Sequence, residues 1–226
     1  MSQKLRLPIN KMCMTTSYMN PKYRKQWGFN HYGIDAISTG TGTAVNAIGN
    51  GIVYSCGQDG TTLTGPGSRL GNVIIVIYRD VYCHDGKVRD LTCRMYHLDN
   101  ILCEKGDTVT AGTIIGHYGD TGAKTSGPHL HIEFDIDYHH PESGVGIVGN
   151  GNIVKQGSAQ TSINPSRIWF RSESQTLIGS GEGWTSSSDV SIPLLSSKDE
   201  LESLRLEVAL LRSKLSAIRC FTESNE

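Results

Sequence analysis

Apolar and polar residues alternate along much of the chain before residue 136, and helical periodicity is scarce there. Side chains of a strand point alternately to the two faces of a sheet, so a period of two predicts half-buried strands. Residues 42–57 show this alternation, and Asn50–Gly51 within them is typical of a hairpin turn. Residues 104–122 and 127–137 repeat the pattern between glycine turns. The pattern predicts a mainly β fold, an antiparallel and sandwich-like sheet.

One stretch of this region is continuously apolar. Residues 72–78 are rich in β-branched side chains, which predicts a strand that is buried on both faces. We expect it to pair with residues 89–98 through a turn around Asp85 and Gly86. Further along, residues 163–169 predict a short turn or helix that closes the domain.

The C-terminal segment has a helical pattern. Six apolar residues recur there at alternating spacings of three and four: Leu201, Leu204, Val208, Leu211, Leu215 and Ile218. This spacing indicates the a and d positions of a coiled-coil helix over residues 198–220, and Ser197 followed by Glu200 predicts a capping box at its start. Such a short helix is not stable alone. We expect it to form a homo-oligomer; docking on a partner, such as a virion or tail protein, and packing back onto the body are the alternatives.

These patterns divide the chain into three parts. Residues 1–172 form the predicted domain, and residues 137–162, rich in Gly, Ser and Asn, interrupt it as a long loop insertion. Residues 173–197 are dominated by Ser, Gly and Glu and predict a flexible linker. The predicted coiled-coil helix follows.

Charge and hydropathy exclude two classes of partner. The formal net charge is -1, so the chain lacks the basic surface that nucleic-acid binding needs. No apolar run approaches the ~20 residues of a transmembrane helix. The N-terminal residues also lack an apolar stretch of signal-peptide length. The expectation is a protein made in the cytoplasm.

The six cysteines predict no metal knuckle, because none of them forms a CxxC pair. We interpret them mostly as small, buried thiols, which fits synthesis in a reducing compartment. A disulfide between Cys83 and Cys93 across a hairpin is the alternative.

Histidines are grouped rather than evenly spread. His31 and Asp35 lie in HYGID, and His129 and His131 lie in GPHLHIEF. Two histidines one residue apart on a strand point to the same face, with Leu130 turned into the core. Imidazoles and a carboxylate are common zinc ligands, and His97 in RMYHL adds a further imidazole. Each motif alone is weak, and their joint occurrence indicates a metal site.

Taken together, these motifs resemble the lysostaphin/LytM-type zinc endopeptidases over roughly residues 15–169. Further segments resemble the family and occur in the same order, among them LGNVIIVIY, GDTGAKTSGPHLH and INPSRIW. The resemblance implies a LytM-type domain in which His31, Asp35 and His131 bind Zn²⁺ and His97 and His129 form the catalytic pair. It also implies that a nearby tyrosine assists the oxyanion, and Tyr23 is better spaced for this than Tyr18.

The resemblance implies a zinc metalloendopeptidase that hydrolyses peptide bonds of bacterial peptidoglycan, in the cross-bridge or the stem peptide. With the predicted tail, it suggests a phage lysin released at lysis or a tail-associated cell-wall hydrolase. One alternative is a catalytically inactive scaffold or activator with a degenerate domain. Another is a zinc peptidase that acts on ordinary proteins.

Overall fold

One large sheet organises the described part of the chain. The computed structural model describes residues 2–58, 70–123, 125–136, 147–148, 152–153, 161–182 and 192–223. Within these ranges, eleven strands form a single mixed sheet and two more form a separate pair. The mainly β prediction is confirmed.

The strands are β1 (Lys11–Thr16), β2 (Gly33–Ser38), β3 (Ala44–Asn46), β4 (Gly51–Gln58), β5 (Asn72–Tyr82), β6 (Val88–Ile101), β7 (Thr108–Val109), β8 (Ile114–Tyr118), β9 (Leu130–Asp135), β10 (Ile147–Val148), β11 (Asn152–Ile153), β12 (Ser162–Ile163) and β13 (Thr176–Glu182). The helices are α1 (Pro21–Trp27), a 3-10 turn at Pro165–Arg167 and α2 (Ser197–Glu223).

The main sheet runs in the order β13-β1-β2-β9-β6-β5-β4-β7, with β12 on β9 and with β8 joining β3 to β6. Its pairs are antiparallel except β1 with β13, which are parallel. The predicted pairing of β5 with β6 is confirmed, and the turn between them brings the Gly86 N–H to within 3.0 Å of the Cys83 carbonyl. β6 of this hairpin also pairs with β9.

The predicted hairpin at Asn50–Gly51 is wrong. β3 pairs with β8, whereas β4 pairs with β5 and β7, so the strands on either side of this dipeptide do not pair with each other. The physical reason is that the N-terminal segment occupies the position: the Asn50 N–H donates to Gln3 Oε1 at 2.8 Å, and the Arg6 N–H donates to the Ile48 carbonyl at 2.7 Å.

Strand alternation sets the core. Leu130, Ile132 and Phe134 of β9 are fully buried, as predicted, and Phe134 meets Trp169 edge to face at 6.2 Å between ring centroids. Trp169 follows the 3-10 turn, whose Asn164 side chain accepts from the Ser166 N–H. The closing role predicted for residues 163–169 is thus confirmed.

The predicted linker is partly wrong, because β13 lies inside it. Leu177 pairs with Met12 of β1 and is fully buried, and the Gln175 side chain donates to the Leu7 carbonyl at 3.0 Å. The Ser- and Gly-rich composition of this segment does not indicate a strand. The strand forms because its backbone pairs in parallel with the edge of β1. Residues 183–191 of the predicted linker lie outside the described residues.

The insertion predicted at 137–162 lies mostly outside the described residues. Its described parts include the β10–β11 pair, in which the backbone of Ile147 pairs with that of Ile153. Its last residue, Ser162, begins β12 and pairs with Asp135 of β9. The division into a domain, linker and tail stays a prediction in other respects.

The predicted C-terminal helix forms and spans Ser197–Glu223. Its cap is one residue earlier than predicted: the Asp199 N–H donates to Ser196 Oγ at 3.3 Å and the Ser196 N–H donates to Asp199 Oδ2 at 3.1 Å. Asp199 also pairs with Lys4 at 2.8 Å, which ties the helix start to the body. In the described residues, no helix is long and apolar enough to cross a membrane.

Five described cysteines are free thiols, so the alternative disulfide between Cys83 and Cys93 is wrong. Cys93 lies opposite Val76 on β5, whereas Cys83 follows β5 and begins the turn. The hairpin register keeps the two thiols apart along the strands.

Replacing Leu177 by Ala tests whether β13 belongs to the domain. We expect a loss of about 2–5 kcal/mol in the free energy of unfolding, because the side chain is fully buried. Leu194→Ala is the matched control, since Leu194 is 55% exposed. Chemical denaturation measures both, and equal stabilities would contradict the assignment.

Candidate metal centre and active site

Three neighbouring strands carry the candidate residues. The antiparallel register of β2 and β9 sets Asp35 directly opposite His131, and the register of β6 and β9 sets Tyr96 opposite His131 on the other side. His31 lies two residues before β2, and His97 follows Tyr96 in β6. Sheet pairing therefore brings together residues that lie about a hundred positions apart in the chain.

Three donor atoms converge at one point. His31 Nε2 lies 3.0 Å from Asp35 Oδ1 and 3.0 Å from His131 Nδ1, and His131 Nδ1 lies 2.9 Å from Asp35 Oδ1. Ligands bound to a tetrahedral zinc ion at about 2.0–2.2 Å would be about 3.3 Å apart. The observed triangle is close to that size. Two imidazole nitrogens and one carboxylate oxygen are also a donor set that zinc accepts, so these residues fit the metal.

The first histidine is held in one orientation. His31 is 1% exposed, and its Nδ1–H donates to the Ser17 carbonyl at 2.9 Å. That bond leaves the Nε2 lone pair directed at the triangle. The Tyr23 ring of α1 lies 4.3 Å from the His31 ring, centroid to centroid, and Asn20 caps α1 through the Lys22 and Tyr23 N–H groups.

The triangle favours positive charge. Burial opposes ionisation of Asp35, yet His31 and His131 hold the pKa of this carboxyl well below its usual range. Burial likewise lowers the pKa of His131, but the Asp35 and Glu133 carboxylates outweigh it and raise that pKa to about 9. An imidazole that is stabilised in its charged form lies in a negative potential, which also attracts a metal cation.

Two further histidines border the triangle. The His97 and His129 rings are 4.8 Å apart, and His129 Nε2 lies 3.6 Å from Asp35 Oδ1. His97 Nδ1 lies 3.0 Å from the Thr121 carbonyl, and His129 Nδ1 lies 2.7 Å from the Gly127 carbonyl. In each ring Nδ1–H is the donor, since a carbonyl only accepts. Their Nε2 atoms are therefore free to accept a proton.

His97 combines a strained backbone with a shifted pKa. Its φ is 64°, a left-handed conformation that is uncommon outside glycine. Its N–H donates to the Leu70 carbonyl and its own carbonyl accepts from the Gly119 N–H, both at 2.9 Å, which fixes this conformation. Burial, with smaller effects of His131 and His129, lowers the pKa of His97 to about 4. The neutral ring is favoured.

Glycine at two positions is required by close contacts. A Cβ on Gly33 would lie 2.5 Å from the Ile132 carbonyl oxygen and 2.7 Å from His131 Nε2. Gly71 has φ +73°, and a Cβ there would lie 2.3 Å from the carbonyl oxygen of Thr121, the same carbonyl that orients His97. Gly33 lets its strand lie close to the His131 ring, and Gly71 lets the chain approach the Thr121 carbonyl that orients His97.

The structure brings all five predicted site residues together and leaves other histidines elsewhere. His117 pairs with Asn100, and His84 pairs with the Trp169 carbonyl. His139 and His140 lie outside the described residues. Sequence reasoning missed Thr121, which orients His97, and Glu133, which lies behind His131. Glu133 continues the His129 and His131 alternation, a signal that could have revealed it.

Comparison with known proteins identifies the family. Residues 29–143, just over half of the chain, match the sequence model of Peptidase family M23. The chain belongs to this family. The match contains all five candidate residues of the site.

Two curated relatives of this M23 chain are endopeptidases by name. Glycyl-glycine endopeptidase ALE-1 of Staphylococcus capitis is 33% identical over 129 residues, which cover 53% of the chain and 31% of ALE-1. Peptidoglycan DD-endopeptidase ShyA of Vibrio cholerae is 32% identical over 84 residues, or 37% of the chain and 17% of ShyA. The chain thus spans less than a third of the length of either relative.

A solved structure shares the fold. The SpoIIQ-SpoIIIAH pore forming complex includes a chain that superposes with a TM-score of 0.50 at 19% identity, over 75% of the M23 chain and 92% of that chain. This likeness concerns the fold alone.

Asp35→Asn tests the metal centre. The amide is neutral and offers one acceptor oxygen, so we expect zinc affinity to fall by at least about tenfold while the fold persists. Competition with a chromophoric chelator measures the affinity. Asp107→Asn, in the exposed turn before β7, is the control. Equal zinc content in Asp35→Asn and the parent would contradict the assignment.

Proposed function

We propose that this M23 domain is a zinc-dependent endopeptidase that cleaves peptide bonds of bacterial peptidoglycan, in the cross-bridge or the stem peptide. One observation carries the proposal: His31, Asp35 and His131 converge within about 3 Å of one another, with two correctly oriented imidazoles beside them. The name of ShyA supports peptidoglycan as the substrate class, and the name of ALE-1 supports endopeptidase activity.

In this proposal His31, Asp35 and His131 hold Zn²⁺. When bound there, zinc supplies Lewis-acid polarisation of a carbonyl and lowers the pKa of water. The chain's own contribution is proton transfer and orientation. His97 and His129 present their Nε2 atoms to the site, so one can accept a proton from the attacking water and the other can donate to the leaving amine.

Tyr23 is proposed to assist the developing oxyanion. Its ring packs against His31, and burial, with smaller effects of Asp35 and Glu133, raises the pKa of its phenol above the ordinary value. The hydroxyl therefore keeps its proton at neutral pH and can donate a hydrogen bond.

An inactive scaffold or activator is the alternative class. Such a protein has no need for two histidines whose Nδ1–H groups are both anchored to backbone carbonyls, or for the strained φ of His97. These features support the enzyme over the scaffold.

His129→Ala separates metal binding from chemistry. We expect zinc affinity within about threefold of the parent but hydrolysis slower by about 100-fold or more, the usual loss when a proton-transfer group is removed. His117→Ala is the matched control, since His117 contacts Asn100 and lies outside the site. Turbidity loss of purified cell walls measures the rate, and parental activity in His129→Ala would refute the role.

The substrate class has its own test. Mass spectrometry of muropeptides released from several wall chemotypes, with and without a chelator, identifies the bond. Casein serves as the competing substrate. Cleavage of casein without release of muropeptides would replace the proposal by a peptidase that acts on ordinary proteins.

The tail is proposed to form a homo-oligomeric coiled coil. Its a and d side chains are exposed, with Val208 at 46% and Ile218 at 61% at the extremes, so in the described residues the helix does not bury this seam on the body. Oligomerisation would raise avidity for a polymeric wall. The same seam suits docking on a virion or tail partner, as a tail-associated hydrolase requires, whereas a lysin released at lysis needs no such partner.

Substituting both Leu204 and Leu211 by Asp tests the seam. We expect the parent to sediment as a dimer or trimer and the double variant as a 24.6 kDa monomer, because charge at the seam prevents burial. Ser213→Asp, exposed on the same helix, is the control. A parent that is monomeric at all concentrations would leave docking on a partner as the role of the tail.

A further inference from the structure

A buried polar cluster lies directly behind the metal centre, and neither proton transfer nor metal ligation uses it. It consists of Arg94 and Tyr96 on β6 with Glu133 and Asp135 on β9, here called the Arg94 cluster. Arg94 lies opposite Glu133 in the strand register, one pair along from Tyr96 and His131. All four side chains are at most 4% exposed. Burial of so much charge is costly unless each group has a function or a partner.

Glu133 is the member that reaches the centre. One oxygen, Oε1, accepts from the Tyr96 hydroxyl at 2.5 Å and lies 3.8 Å from Arg94 Nη1. The other, Oε2, lies 3.6 Å from His131 Nε2. That distance is a few tenths of an ångström longer than a hydrogen bond, and Oε2 has no hydrogen-bond partner among the described residues. The carboxylate is therefore anchored on one side and directed at His131 on the other.

The His131 ring is confined around this contact. The Tyr96 ring stacks on it at 5.4 Å between centroids with an interplanar angle of 26°. Gly33 leaves room for its Nε2 edge, where a Cβ would come within 2.7 Å. Glu133 is the acceptor that faces this enclosed nitrogen in the described residues. The opposite nitrogen, Nδ1, is the one in the donor triangle.

We propose that Glu133 is a positioning residue for the metal centre: its carboxylate, oriented by Tyr96, accepts the Nε2–H of His131 and so keeps the Nδ1 lone pair directed at the ion. This inference rests on the proposed zinc site. A carboxylate behind a ligating histidine fixes the tautomer and ring orientation and raises the basicity of the ligand nitrogen. Glu133 would do this for His131, as the Ser17 carbonyl does for His31.

Asp135 shows what a purely structural carboxylate in this cluster does. It lies two residues further on the same strand, is equally buried and lies 3.5 Å from Arg94 Nη1. Four residues separate it from His131 along β9, about 13 Å at the rise of a β-strand. Asp135 therefore shares the pairing with Arg94 but lies too far along the strand to orient the His131 ring, which makes it a matched control.

The test compares Glu133→Gln with Asp135→Asn in the full chain. Both changes remove one negative charge beside Arg94, but only the first affects His131. Gln has a single acceptor oxygen, for which the Tyr96 hydroxyl and the His131 Nε2–H compete. We expect zinc affinity, measured by chelator competition, to fall about 10–100-fold in Glu133→Gln and to stay within about threefold in Asp135→Asn.

A second readout does not depend on affinity. In the zinc-loaded protein, NMR of the histidine rings detects the Nε2–H proton of His131. We expect a downfield-shifted and slowly exchanging Nε2–H in the parent and in Asp135→Asn, and an upfield-shifted, faster-exchanging one in Glu133→Gln, because the hydrogen bond to the carboxylate is lost or weakened. An Nε2–H signal that is the same in Glu133→Gln and the parent, or zinc affinities of the two variants within twofold of each other, would overturn the proposal.

Tyr96→Phe keeps the test decisive if Glu133→Gln does not fold. It retains the carboxylate and the ring stack but removes the hydroxyl that orients Glu133. We expect zinc affinity to fall about threefold to tenfold, and no change would overturn the proposal. Zinc binding by the parent distinguishes failure of the metal centre from failure of the role of Glu133. A parent that binds no zinc rejects the metal centre. Zinc binding that is equal in parent and variants rejects only the role of Glu133.

Discussion

The antiparallel pairing of β2 with β9 places Asp35 opposite His131, and the candidate active site depends on that single register. A shift of one residue would put these two side chains on opposite faces of the sheet. The neighbouring pair of β6 with β9 extends the same row to Tyr96, which His97 follows in β6. Backbone hydrogen bonds between the strands thus decide which side chains meet at the site.

Hydrogen-bonding groups behind the histidine rings orient those rings around the candidate metal centre. Backbone carbonyls of Ser17, Thr121 and Gly127 each accept from an Nδ1–H, on His31, His97 and His129 respectively. His131 differs, because it presents Nδ1 to the triangle and has a carboxylate behind Nε2. One ligand therefore lies in a more negative environment than the others, in keeping with its raised pKa.

The sequence predicted the strand-rich region from β3 to β9, the hairpin of β5 and β6 and the grouping of five candidate residues, because period, turn chemistry and motif order are local signals. It misplaced what depends on distant segments. Asn50–Gly51 looks like a hairpin turn, but Gln3 and Arg6 occupy its surroundings. Residues 176–182 look like linker, but β1 offers them an edge. Alternation along β9 puts Glu133 on the same face as His129 and His131, but its contact with Tyr96 depends on the pairing with β6 and does not follow from β9 alone.

The left-handed backbone of His97 has an evolutionary consequence. A histidine in this conformation costs about 1 kcal/mol or more relative to glycine, and the surrounding hydrogen bonds must offset that cost. Directed evolution that selects only for thermal stability would thus favour glycine or asparagine at position 97. The resulting variants would be more stable but would lack one imidazole of the candidate active site. Selection of improved variants of this domain has to score turnover alongside heat resistance.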